Sequence, residues 1–166
     1  MKEKERIRRF HSFTEDFFDP KEECKLPEGY RWVLTDRISR FLSKIIYGCA
    51  IVFSNVYCRL FLHVSIKGAE KLRGEKNTGI FLYGNHTQPV GDVFDPALAA
   101  FPKRVYTVVS PANMALPVIG KLLPYLGALP LPENISGMKQ FLAAMELRLS
   151  EKCCIVIYPE AHLWDY

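Results

Sequence analysis

The sequence predicts an α/β protein: a single mixed, largely parallel sheet flanked by helices, with an N-terminal amphipathic, membrane-associating helix ahead of it. Three observations carry that expectation. Short apolar runs such as "GIFLY" (79–83) and "CCIVIYP" (153–159) alternate with longer amphipathic stretches, the order that builds strand–helix–strand units. Ahead of them, over 38–61, apolar residues recur at helical spacing. The 166 residues, 49% hydrophobic and 24% charged, suffice for one domain with a real core, are too few for two, and exclude wholesale disorder.

Residues 1–36 read as a polar arm, broken by Pro20, Pro27 and Gly29 and holding one short helix at most. Residues 37–62 read as one amphipathic helix. Its apolar face runs from Ile38, Phe41 and Ile45 to Phe53, Val56 and Leu60, with Arg37, Arg40, Lys44, Asn55 and Arg59 largely off that face. Residues 63–166 then form the α/β domain. "HVSIKG" (63–68) and "GIFLY" (79–83) are expected strands, the second buried on both faces. A helix begins around Pro96, "RVYTVVS" (104–110) is a strand, and "ALPVIGKLLPYLG" (115–127) is a helix stopped by Gly127. "ALPLP" (128–132) is a short strand, 136–152 an amphipathic helix starting near Ser136, and 153–159 a buried strand.

Charge is concentrated. The net charge is +4, yet residues 37–76 alone hold eight Lys/Arg against two Asp/Glu, which calls for an anionic partner there. Nucleic acid fits poorly, because these basic residues are interleaved with aliphatics and not with stacking aromatics. For the helix itself three placements compete: in the membrane interface, in the core, or across the bilayer. The apolar stretch 45–62 falls short of the ~20 residues needed to span. A lipid-facing Arg59 in mid-span would cost about 3 kcal/mol. An interfacial helix on an anionic surface carries no such cost, and is preferred. Five cysteines without metal-ligand spacing fit a reducing compartment, and the charged N-terminus, with no apolar run behind it, is no secretory signal. The two sequons, at Asn85 and Asn134, are read as chance.

The chemistry-bearing stretch is "GNHTQPVGDVFDP" (84–96), directly after an apolar run. Open α/β sheets bind ligands beyond the carboxyl ends of their strands, and His86 falls just past such an end. Asp92 or Asp95 can fold back to the imidazole, Asp92 being favoured because its loop is shorter. A carboxylate on one ring nitrogen fixes the tautomer and leaves the other nitrogen to accept a proton. The competing readings are a satisfied turn, an Asp capping the next helix, and a metal site of His86, Asp92, Asp95 and His162. No compact ligand spacing supports the metal site. No Gly-x-Ser-x-Gly nucleophile is present, which favours direct transfer to an acceptor over a covalent enzyme intermediate.

"GNHTQPVGDVFD" resembles the His-x4-Asp block of the glycerolipid acyltransferases, in particular the 1-acylglycerol-3-phosphate O-acyltransferase type. "HVSIKGAEKL", "ALPVIGKLLPYLGALPLPE" and "CCIVIYPEAH" resemble its flanking blocks in order and spacing, covering about 63–162. The resemblance implies His86 as general base and Asp92 as its partner. It also implies substrate-binding roles for Asn85, Thr87, Gly127, Pro159, Glu160 and His162, and no metal or other cofactor. It further implies an acyl-CoA or acyl carrier protein thioester as donor, a lysophospholipid or related hydroxyl as acceptor, and work at the cytoplasmic face of an anionic membrane. A non-catalytic lipid- or acyl-binding relative, or a thioester or metal hydrolase, are the alternatives.

The chain departs from the pattern in four places. Five residues, not four, separate His86 from Asp92, a difference that a bulge at Gly91 would absorb. Pro132 stands where an arginine is usual, and Ala161-His162-Leu163 stands where Gly-Thr-Arg is usual. Without those two arginines the acceptor loses its bidentate phosphate clamp. The family domain also ordinarily continues past this block, so the resemblance implies a domain cut short at its C-terminus, with "CCIVIY" left as an exposed sheet edge.

Overall fold

The structure is a computed structural model and describes residues 25–27, 29–88 and 91–160. Most of the polar arm and His162 lie outside these residues. Ten elements follow in order: α1 (Arg37–Leu60), α2 (Ala69–Gly74), β1 (Ile80–Tyr83), α3 (Gly91–Ala100), β2 (Val105–Val109), a 3-10 helix (Pro111–Ala115), α4 (Ile119–Leu126), β3 (Ala128–Pro130), α5 (Ile135–Ser150) and β4 (Cys154–Ile157).

The four strands form one sheet in the order β1-β4-β2-β3, every pair parallel. Two steps across the sheet go one way, β1 to β2 and β2 to β3, and the step to β4 turns back. Right-handed crossovers place helices on opposite faces when the direction reverses. Accordingly α3 covers one face with α1 while α5 covers the other. On the first face Ala97 and Ala100 of α3 and Ile51 of α1 pack on Ile80, Leu82, Val105, Cys154 and Val156. On the second, Phe141 and Ala144 of α5 pack with Trp32 on Tyr106, Leu129 and Cys153.

Trp32 donates its indole N–H to Pro130 O at 2.8 Å, and Leu26, Tyr30 and Val33 join its cluster. The end of the expected arm is therefore part of the core, because its aromatic surface has a sheet face to cover. The expected strand at 63–68 is absent: Val64 N–H is spent on Cys58 O at 2.9 Å, closing α1, and Gly68 turns left-handed (φ 79°) to start α2. All pairings among the described strands are parallel, where a mixed, largely parallel sheet was expected. β1 is not buried on both faces; Phe81 and Tyr83 point to solvent. Nor is β4 an edge. It lies between β1 and β2, which pair with it on either side. α3 begins at Gly91, five residues before Pro96, and α5 begins at Ile135 behind an Asn134 cap that accepts from Gly137 N at 2.7 Å.

α1 turns its expected apolar stripe outward. Ile38, Phe41, Leu60 and Phe61 are all more than 60% exposed. The side that docks on the domain carries Ser43, Tyr47, Ile51, Ser54 and Cys58, spaced by four, four, three and four residues. Ser43 Oγ donates to Tyr125 O at 2.7 Å, Val105 N–H donates to the Tyr47 hydroxyl at 3.0 Å, and Ser54 bonds back to Ala50 O at 2.6 Å. The helix thus packs on the domain along one side and leaves its apolar stripe uncovered. The 24-residue helix is, by length and composition alone, long and apolar enough to cross a membrane, and it fits a membrane-associating helix.

Candidate active site

β1 and β4 are parallel neighbours, so their C-terminal ends open at the same end of the sheet. Gly84 N–H extends the pairing to Ile157 O at 3.2 Å. A Cβ on Gly84 would come within 3.0 Å of the Tyr158 ring, so glycine there lets Tyr158 lie against the outgoing loop. α3 starts close by, and its second residue is Asp92, an acid in the first turn where the helix dipole favours one.

Asp92 Oδ2 gathers three donors: Thr87 N–H at 2.7 Å, Gln88 N–H at 2.8 Å and His86 Nδ1 at 2.8 Å. A carboxylate is acceptor-only, so Nδ1 carries the proton and Nε2 is the basic nitrogen. Nε2 has no hydrogen bond to any described residue. The His86 side chain is 30% exposed and that of Asp92 13%, a base reachable from solvent with a shielded partner. Asp92 fixes both the ring and the loop that presents it.

β4 supplies the other wall. The Tyr158 ring stacks on His86, centroids 5.0 Å apart and planes at 29°, and its hydroxyl donates to Asp92 O at 2.5 Å. Burial, with the Asp92 and Asp95 carboxylates nearby, pushes the Tyr158 phenol well above its usual range, so it stays a donor. Glu160 Oε2 accepts from His86 N–H at 3.3 Å.

The expected site residues divide. His86, Asp92, Thr87 and Glu160 come together, with Asn85 exposed in the same loop and Pro159 exposed between Tyr158 and Glu160. Glu160 holds the His86 backbone, a contact its expected substrate-binding role did not include. Gly127 is elsewhere. It ends α4 with φ 99°, at the N-terminal end of the parallel strands, where a Cβ would meet Val105 O at 2.7 Å. It is a helix stop and a close-approach glycine, not part of this site. His162 lies outside the described residues.

It is Asp92, not Asp95, that bonds His86; Asp95 interacts instead with the Cys58 thiol of α1, while its Oδ1 is buried without a partner among the described residues. The six-residue step from His86 to Asp92 needs no left-handed bulge. Gly91 opens α3, and its missing Cβ leaves room for the Gln88 side chain. Among the described residues no group of three or more His, Cys, Asp or Glu is placed to hold a metal ion. Tyr158 is the residue of this cluster that pattern reading passed over; its only signal was an aromatic between a strand end and Pro159-Glu160. No family model, curated protein or solved structure matches the chain.

Proposed function

We propose that the chain is an O-acyltransferase that moves a fatty acyl group from an acyl-CoA or acyl carrier protein thioester to the hydroxyl of a lysophospholipid or related glycerolipid. The observation that carries this reading is the His86 Nδ1–Asp92 Oδ2 bond of 2.8 Å, which leaves Nε2 without a partner among the described residues. Nε2 takes the acceptor's hydroxyl proton as the oxygen attacks the thioester carbonyl. The C–S bond breaks, and the imidazolium returns the proton to the departing thiolate. Asp92 keeps the ring oriented and stabilises its transient charge. The resemblance of the four sequence blocks to glycerolipid acyltransferases names the substrate class. The usual arginine positions hold Pro132 and Ala161-His162-Leu163 instead, so the acceptor favoured is one without a phosphate monoester to clamp.

The apolar outer stripe of α1 and the basic residues of 37–76 support a reading in which this chemistry runs at the cytoplasmic surface of an anionic membrane. The test is mass spectrometry of products after incubation with acyl-CoA or acyl carrier protein and a panel of lysolipids. His86→Ala is expected to lower transfer by about 10²–10⁴-fold, the usual worth of a general base, while vesicle binding persists. Vesicle binding without acyl transfer in the parent protein would mean a lipid-binding module; free fatty acid released without an acceptor would mean a thioesterase.

A further inference from the structure

Pro96 stands four residues after Asp92 inside α3. In a regular helix the N–H at that position would bond Asp92 O, and proline has none. The orphaned carbonyl belongs to the residue that holds His86. Tyr158 takes the missing donor's place, its hydroxyl 2.5 Å from Asp92 O. The same side chain lays its ring on the imidazole at 5.0 Å. One residue from β4 thus grips both members of the dyad, from outside the loop and helix that carry them.

We propose that Tyr158 is the positioning residue of the His86–Asp92 dyad, supplying the helix hydrogen bond that Pro96 removes and a wall that keeps the ring's Nδ1 edge on Asp92. The role rests on the acyltransfer reading for its kinetic consequence but not for its structural one. Tyr158 moves no proton in the reaction. Its ring presents a π-face to the imidazolium formed during turnover, a favourable contact for a cation, and its hydroxyl stops the first turn of α3 from drifting.

Two readouts test this. The first is the 15N signature of His86 in histidine-labelled protein, assigned against His86→Gln among the four histidines; the second is kcat and KM for acyl transfer. Tyr158→Leu removes ring and hydroxyl; we expect a mixture of tautomers in place of Nδ1–H alone, and kcat down on the order of 100-fold, the scale of a misplacement near 1 Å. Tyr158→Phe keeps the ring and loses the hydroxyl; kcat is expected to fall about tenfold with KM little changed. Adding Pro96→Ala to Tyr158→Phe restores an N–H to Asp92 O, and is expected to recover most of that loss. A Tyr158 that merely fills the core predicts otherwise: Phe fully active, and Leu less stable with the Nδ1–H tautomer intact. Either result overturns the proposal, as does a Phe defect that Pro96→Ala leaves uncorrected. If the parent protein transfers no acyl group, the tautomer arm alone decides on Tyr158, and the acyltransfer reading fails separately.

Discussion

Asp92 and Asp95 sit less than one turn apart on α3, yet burial gives them different chemistry. Asp92 spends one oxygen on three donors. Asp95 lies beside the Cys58 thiol, and burial, only partly offset by that thiol, raises its carboxyl above the usual range, with the Asp92 charge adding to the rise. A carboxyl whose folded pKa is raised binds its proton more tightly in the fold than in the unfolded chain. Folding stability from this group is therefore full at low pH and is lost as the pH climbs past about 4 and through the folded value. Asp95→Asn has no such loss, so it is expected to gain on the parent as the pH rises from about 4 to 7, measured as a widening gap between melting temperatures. Parallel curves would refute this burial argument. Reading the sequence separated the two acids by loop length alone. It had no access to Cys58, which arrives from a helix 37 positions earlier in the numbering, a tertiary contact that no local pattern encodes.

Among the elements, α1 shows most plainly where pattern reading stops. Periodicity located the helix, and the Asp36 cap, accepting from Ser39 N at 2.7 Å, marks its start. The docking side could not be read, because it is built from Ser43, Ser54 and Cys58, residues that no hydrophobic stripe would nominate. The outward side carries Ile45, Val52 and Phe53 around Gly48 and Cys49, an open apolar strip on one face of the helix. Burying two such aliphatic side chains in a bilayer interface is worth at least about 3 kcal/mol, roughly a hundredfold in partition. Ile45→Asp together with Val52→Asp is expected to remove that much vesicle binding in flotation while the circular dichroism spectrum holds, since neither residue is buried. Reversing Arg37, Arg40 and Lys44 to Glu is expected to abolish the preference for anionic over zwitterionic vesicles, each charge being worth about 1 kcal/mol at such a surface. The same helix touches α3 through an edge-on Phe94, 5.8 Å from Phe53 and 6.2 Å from Tyr57, so α1 and the helix that carries Asp92 share one packed unit. The strand expected at 63–68 failed for a related reason: alternation alone does not supply a pairing partner, and the N–H of Val64, its second residue, was already committed to ending α1.

For the whole molecule, the last described strand lies inside the sheet and not at its edge. β1 pairs with β4 across 74 positions, Ile80 against Cys154, and with no other described strand. The alternation of strands and helices foretold the class of fold, but strand order is a long-range property, and that is why β4 read as an edge. Its place between β1 and β2 makes it the link between the two halves of the sheet. It is also the support of the site, since Tyr158 and Glu160 leave it directly. Ile155 is fully buried in it, with no exposed surface. Ile155→Ala is expected to lower unfolding stability by about 2–5 kcal/mol, a large share of the 5–15 kcal/mol typical of domains. The measurement is a denaturant titration in which the midpoint falls at constant slope. Ile135→Ala, 81% exposed at the first turn of α5, is the control, with an effect within about 0.5 kcal/mol. A similar small effect for both would mean that β4 is not buried at the centre of the sheet, and the wall against which His86 and Asp92 are set would go with it.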